Sequence, residues 1–177
     1  GQTMGCLDLV LASIEFKDAY LAFIAECRDD IIATSFDIVI PLSAPETVEA
    51  DIEELTNFRL GKGLPDNWVP ASTYWLIEDN RRIIGTVNIR HRLNEALAFR
   101  GGHISYYVRP SERGKGYGTQ LLSLALERCR EMGMEKVLIT CKKDNIPSAK
   151  IIKKHGGVLT SEGVDGPEII QRYWIQL

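Results

Sequence analysis

The chain has 177 residues, 24 acidic and 21 basic side chains for a formal net charge of −3, and 45% hydrophobic against 25% charged residues. That length and balance suit one globular domain over residues 1–177, exclude bulk disorder, and give no reason to expect nucleic acid as a partner. No apolar run approaches the roughly 18 residues that a membrane helix needs. Cys6, Cys27, Cys129 and Cys141, separated by 21, 102 and 12 positions, form neither a CxxC pair nor a zinc-ligand rhythm. They read as reduced thiols of a cytoplasmic protein without a metal or a membrane partner.

Met4 reads as the native start, with residues 1–3 as a remnant of cloning. Residues 7–12 alternate Leu7, Leu9 and Leu11 with other positions and read as a short strand. Phe16, Ala19, Tyr20, Phe23 and Cys27 mark the buried face of a helix from Glu15 to Arg28. Ser43 with Glu46 fits a capping box, Pro45 falls in the first turn, and Val48, Ile52 and Leu55 continue as a second helix ending near Gly61. A loop with Trp68 follows. Ser72–Glu78 and Arg82–Arg92 form a hairpin around Asp79-Asn80-Arg81, and Asn94–Arg100 is a connection. Gly102–Arg109 is a strand stopped by Pro110.

The second half alternates. Thr119–Met132 carries a helical stripe through Leu122, Ala125 and Cys129; Lys136–Cys141 is a strand; Asn145 caps a helix that Gly156-Gly157 ends; Glu168–Leu177 is strand-like. The order β-α-α-β-β-β-α-β-α-β(-β) gives a mixed α/β (α+β) layer fold.

The chemistry concentrates in Val108-Arg109-Pro110-Ser111-Glu112-Arg113-Gly114-Lys115-Gly116-Tyr117-Gly118-Thr119. Glycines at alternate positions let the backbone turn and approach a ligand. A helix starting there points free N–H groups and its positive end into the loop, and Arg113 and Lys115 add charge suited to a phosphate or diphosphate. The spacing lacks the GxxxxGK[ST] of a Walker loop. The third glycine also comes one residue too early for GxGxxG, which disfavours a dinucleotide oxidoreductase.

Arg113, Gly116 and Gly118 match the [RQ]-x-x-G-x-[GA] hallmark of the Gcn5-related N-acetyltransferases. The preceding Val108-Arg109-Pro110, the Asn145-opened helix and Lys154-His155-Gly156-Gly157 also resemble that family. The resemblance implies a mostly antiparallel central sheet flanked by helices, acetyl-CoA as cosubstrate, an amine as acceptor, and room for a homodimer. It implies that loop N–H groups from Arg113 through Gly114, Lys115, Gly116, Tyr117 and Gly118 to Thr119 hold the diphosphate. The strand backbone at Tyr107, Val108 and Arg109 would pair with the pantetheine arm, and Asn145 and Ser148 would reach it.

The family's usual acid, a Tyr seven residues after the helix-opening Asn, is replaced here by Ile152. His103 titrates near neutrality and is the candidate base, with Tyr106 as runner-up. Period-2 alternation puts His103, Ser105 and Tyr107 on one face and Ile104, Tyr106 and Val108 on the other. His91, His155, Tyr74 and Tyr173 are weaker candidates. The acceptor pocket is expected around the first two helices and the Trp68 loop, with Tyr74 and Trp75 as further walls. Lys142, Lys143, Lys150, Lys153 and Lys154 either attract the CoA phosphates or form a solvated face, and the acidic run Glu46, Glu49, Asp51, Glu53 and Glu54 either draws a cationic amine or is solvated. The loss of the Tyr leaves a CoA-binding regulator without efficient catalysis as the alternative to an N-acetyltransferase.

Overall fold

The computed structural model describes residues 5–177; the expected start at Met4 and residues 1–3 lie outside the described residues. The elements are β1 (Leu7–Leu11), α1 (Lys17–Thr34), α2 (Val48–Arg59), β2 (Ala71–Glu78), β3 (Arg82–Arg90), α3 (Glu95–Phe99), β4 (Ile104–Val108), α4 (Tyr117–Glu131), β5 (Lys136–Lys142), α5 (Ile146–Lys154), β6 (Val158–Asp165) and β7 (Glu168–Gln176). The expected order holds, with local corrections. α1 runs on to Thr34 because Ile31 extends its buried stripe of Tyr20, Phe23, Ile24 and Cys27. The Ser43–Glu46 capping box does not form. Ser43 instead donates to the Asp51 carboxylate at 2.7 Å, and Thr47 Oγ1 accepts the Ala44 N–H at 2.9 Å. The Asn94–Arg100 connection holds α3, capped by Asn94 Oδ1 on the Leu97 N–H.

All strand pairing is antiparallel, in a four-stranded sheet β1-β2-β3-β4 and a three-stranded sheet β5-β7-β6. α1 and α2 cover one face of the first sheet, burying Trp75, Ile77, Ile83 and Tyr107 against Phe23 and Ile52. α4 covers the other face through Leu121, Leu122, Ala125 and Cys129, and the same cluster continues to Ile139, Ile152 and Tyr173 beside the second sheet. Burying each such aliphatic side chain contributes about 1.5–3 kcal/mol. The alternation expected in β4 holds: Ile104, Tyr106 and Val108 pack on the α4 side and Tyr107 on the α1 side.

The two sheets meet at a seam. Gly102 makes a single bridge to Ile139. The His103 N–H donates to the Leu138 carbonyl at 2.8 Å, and its carbonyl accepts from Arg90 N–H at 2.7 Å. The Leu138 N–H then has no main-chain acceptor in reach, and His103 Nδ1 accepts it at 2.9 Å. The imidazole therefore substitutes for a ladder carbonyl at the point where the strands part. His103, the expected general base, is thus placed in the seam: its Nδ1 lone pair is committed, the residue is 9% exposed, and its ring packs edge-on against Trp174.

Gly102 has φ +65°, and a Cβ there would lie 2.4 Å from the Leu138 carbonyl oxygen. Gly102→Ala should therefore cost about 2–4 kcal/mol, read as a lowered urea midpoint. His103→Ala strands the buried Leu138 N–H and should cost about 1–3 kcal/mol. Burial first, and then Arg90, hold the His103 pKa below its ordinary value. The unfolded chain therefore takes up the proton first. The stabilisation is complete above a pH of about 6.5 and is lost as pH falls through the lowered folded-state value. The stability gap between wild type and His103→Ala should shrink from pH 7.5 to pH 5, and a constant gap would refute a neutral accepting imidazole.

Candidate active site

Past the seam, β4 and β5 diverge and open a cleft of about 620 Å³. Its walls include Tyr106 and Val108 of β4, the glycine loop, the start of α4, and Cys141, Asn145 and Ser148 from β5 and the start of α5. The β3–β4 register pairs Gly85 with Val108 and Ile89 with Ile104, and hydrogen bonds run from Arg90 N–H to the His103 carbonyl and from Arg109 N–H to the Ile84 carbonyl. In an antiparallel ladder, alternate residues spend both backbone groups on one neighbour. Ser105, Tyr107 and Arg109 therefore face β3, whereas Ile104 and Tyr106 turn their N–H and carbonyl groups the other way, as does the Val108 N–H, the Val108 carbonyl accepting from Arg113. The backbone of Tyr107 and Arg109, expected to meet the cofactor arm, is thus turned to β3, and the open edge belongs to Tyr106 and Val108.

The loop supplies the other half of the site. Gly114 and Gly116 adopt φ +77° and +88°, which L side chains rarely adopt, and a Cβ on either would meet nothing within 4 Å. Gly116 precedes α4 with no side-chain cap. The first turn closes from Gln120 N–H to the Gly116 carbonyl at 3.3 Å, so the N–H groups of Tyr117, Gly118 and Thr119 have no intrahelical partner. Those donors and the positive helix end make an anion site. Gly118 serves packing: a Cβ there would sit 3.0 Å from Ile151 Cδ1.

The loop cations are already partnered. Arg113 pairs with Asp30 at 2.7 Å, donates from Nε to the Val108 carbonyl at 3.0 Å, and lies 5.2 Å over the Tyr107 ring, whose hydroxyl donates to Asp30 at 2.6 Å. The Arg113 guanidinium holds the Asp30 carboxyl below its usual range. Lys115 and Arg82 share Glu112 at 3.1 and 2.6 Å. Arg109 is 6% exposed and binds Glu26 at 3.0 Å and the Ile83 carbonyl at 2.8 Å, which makes it a strut between α1 and β3. Lys142 and Lys143 pair with Glu168 and Glu162 across β7 and β6. The strongest anion-binding feature of the loop is therefore its backbone.

Inside the cleft, the Tyr106 hydroxyl lies 3.4 Å from Ser148 Oγ, and burial raises the phenol pKa, keeping it a proton donor at neutral pH. Asn145 Oδ1 caps α5 by accepting the Ser148 N–H at 3.2 Å. Ile152 is fully buried in the core. The weaker candidates stay outside: His91 pairs with Ser72 at 2.7 Å, His155 Nδ1 lies 2.8 Å from the Ile151 carbonyl, Tyr173 donates to Gln171 at 2.9 Å, and Tyr74 packs beside Arg128 of α4.

A second cavity, of about 390 Å³, adjoins the cleft across Phe36, Asp37 and Ile38, which line both. It lies beside α2 and the Trp68 loop, where the acceptor pocket was expected; Trp68 lines it, whereas Trp75 is buried against Tyr20 with ring centroids 4.7 Å apart. The sequence reading missed the Phe36–Ile38 wall and Arg90. The available signal was Thr86, Asn88 and Arg90 alternating with Val87 and Ile89, a pattern that ordinarily marks a solvated strand face but here is buried.

Among the described residues no group of three or more His, Cys, Asp or Glu side chains is placed to hold a metal, all four cysteines are free, and no helix is long and apolar enough to cross a membrane.

Comparison with known proteins places this geometry in a family. Residues 43–156 match the model of the Acetyltransferase (GNAT) family. An L-methionine sulfoximine/L-methionine sulfone acetyltransferase of Pseudomonas aeruginosa is 31% identical over 75 residues, which are 41% of this chain and 42% of that protein. The chain spans less than half the length of the curated relatives it matches. The ribosomal-protein-S5-alanine acetyltransferase of Vibrio fischeri shares the fold, with a TM-score of 0.72 at 16% identity over 99% of this chain and 94% of that one. The yncA protein of Salmonella typhimurium, solved with its cofactor acetyl-CoA, superposes with a TM-score of 0.64 at 18% identity, over 97% and 94% of the two chains. The glycine-loop helix start, the parted β4–β5 edge and the family match over 43–156 together establish that the chain belongs to the Acetyltransferase (GNAT) family.

Proposed function

We propose that the protein transfers an acetyl group from acetyl-CoA to a primary amine bound beside it. The observation that carries this reading is the uncapped start of α4, with Gly114 and Gly116 in left-handed conformations, opening onto the free edge of β4. The residues present fit acetyl-CoA. The loop backbone and the N–H groups of Tyr117, Gly118 and Thr119 suit a diphosphate, and the exposed backbone of Tyr106 and Val108 suits an extended amide-bearing arm. Acetyl-CoA supplies an activated acetyl thioester: the amine nitrogen gains the acetyl carbon, the carbon–sulfur bond breaks, the nitrogen loses a proton and the sulfur receives one.

The chain's own residues divide that work. Backbone donors on the β4 edge polarise the acyl oxygen, because the Tyr106 and Val108 N–H groups point into the cleft without a strand partner. The Tyr106 hydroxyl, protonated at neutral pH and close to Ser148 Oγ, donates toward the departing sulfur in place of the Tyr that Ile152 replaces. Both carboxylates lining the cleft are engaged, Asp37 with Arg100 and Glu112 with Arg82 and Lys115, and His103 is held in the seam. Deprotonation of the amine is therefore assigned to cleft water. Binding both substrates side by side supplies much of the acceleration through proximity. The acceptor enters from the second cavity, on the far side of the Phe36–Ile38 wall.

Calorimetric titration tests the donor site: acetyl-CoA should bind, and NADH and ATP should bind far more weakly. Gly116→Glu brings a carboxylate into the anion site and should weaken acetyl-CoA binding by at least about 100-fold, more than Gly116→Ala, which carries only the cost of φ +88°. Equal affinities in all three proteins would refute the loop assignment. Tyr106→Phe should lower kcat by about 100-fold with an unchanged dissociation constant for acetyl-CoA. An unchanged kcat would remove Tyr106 from proton transfer, and binding without turnover on any amine would favour a CoA sensor.

A further inference from the structure

Arg90 ends β3 with its side chain in the wall of the second cavity, and only 8% of the residue is exposed. Its guanidinium donates to Ser105 Oγ at 2.6 Å, to the Gly101 carbonyl at 3.3 Å, and to the main-chain carbonyl of Asp37. All three acceptors are neutral. The Asp37 carboxylate instead meets Arg100 at 2.9 Å, and Arg100 also holds Asp165 at 2.8 Å and Glu168 at 3.3 Å. Arg100 lines the same cavity but carries its counter-charges already. Among the described residues no carboxylate pairs with Arg90, and two of the roughly five guanidinium N–H donors have no acceptor. Burial pulls the Arg90 pKa down to about 10, so the group stays charged at neutral pH. A buried charge with no carboxylate in direct contact is costly, and the nearby Asp37 charge offsets only part of it.

We propose that Arg90 is the residue that selects the acceptor, and that the cavity takes a free α-amino acid whose carboxylate pairs with this guanidinium. The proposal rests on the acetyltransferase reading above. Three features of the site specify an α-amino acid. The cavity, of about 390 Å³, has room for a small molecule and is too small for a folded protein surface. Its walls are apolar at Leu55, Phe58, Val69 and Leu97, and Thr73, Asn88, Asn67 and Asn94 are its uncharged polar groups, a mixed lining that takes an apolar side chain against the first set. The Arg90–Ser105 hydrogen bond reaches β4, and Ser105 also lines the donor cleft. A carboxylate on Arg90 would thus leave an amine on the adjacent carbon near the β4 edge, where transfer takes place.

The experiment compares matched acceptors on the acetyl-CoA-saturated protein: L-α-amino acids, their carboxamides, the corresponding decarboxylated amines, and a tripeptide amide with a free N-terminus. The proposal expects at least one amino acid with an apolar side chain to have kcat/KM at least about tenfold above its carboxamide and decarboxylated partners. Arg90→Gln should bring that ratio near one, Arg90→Lys should restore part of it, and acetyl-CoA affinity should be retained in both as the check on folding. Should the variants fail to fold, the wild-type series decides. Carboxamides, decarboxylated amines or the tripeptide amide used as well as the acids would overturn the role of Arg90 and leave the acetyltransferase reading standing. If no amine turns over, the transferase reading fails. Calorimetry of the same acids and amides against the CoA-bound protein then judges Arg90 alone, and no preference for the acids, including no binding of either series, overturns it.

Discussion

The His103–Leu138 contact governs how the two sheets can share a core and still come apart. A continuous ladder between β4 and β5 would fill the cleft with protein hydrogen bonds. A complete break would leave buried polar groups unpaired at the join, at a cost of a few kcal/mol each. Gly102 lets the backbones approach, with φ +65° and no room for a Cβ, and the His103 imidazole supplies the acceptor that the diverging strand cannot. From there the edge of β4 is free, and α4 begins beside it with its unpaired N–H groups directed at the same space. The cleft is therefore a consequence of where pairing stops.

α1 is the second organising element. It buries Phe23, Ile24 and Cys27 in the core, and its other flank supplies Glu26 and Asp30, which hold Arg109 and Arg113 in place. Arg113 is also fixed by the Val108 carbonyl and by the Tyr107 ring, so the approach to the glycine loop is preorganised before any ligand arrives. With its cations neutralised in this way, the loop attracts anions chiefly through peptide N–H groups and the helix end. These donors cannot be titrated away and are positioned by the fold.

The second cavity is built differently. The polar row Thr86, Asn88 and Arg90 lies on the face of β3 that α1 and α2 cover, and each residue is buried. Neutral partners satisfy part of this row: Thr86 donates to the Tyr74 carbonyl at 3.2 Å, and Asn88 to Thr73 Oγ1 at 3.2 Å. Arg90 has no carboxylate in direct contact among the described residues, Asp37 acting on it only from a distance. A buried polar row that is only partly satisfied weakens the core it lies under.

The sequence by itself determined the order of elements, the glycine loop at the start of α4, the Asn145 cap and the face on which Tyr106 and Val108 lie. These follow from local chemistry: helical and strand periodicity, glycine's access to positive φ, and side-chain capping act within a few residues. Ile152, which stands where the resemblance places a Tyr, is buried in the core. Only the tertiary structure decided that His103 belongs to a seam and that Arg113 and Lys115 are already paired. It likewise decided that β4 turns the backbone of Tyr106 toward the cleft and that of Tyr107 and Arg109 toward β3, and that Arg90 sits buried with no carboxylate in direct contact among the described residues. Each of these depends on partners more than thirty residues away or on which neighbour a strand pairs with, with the Lys115–Glu112 pair as the one local exception. A polar residue in an alternating strand reads the same whether its face meets water or a helix, and only the packing of α1 and α2 over β3 settles which.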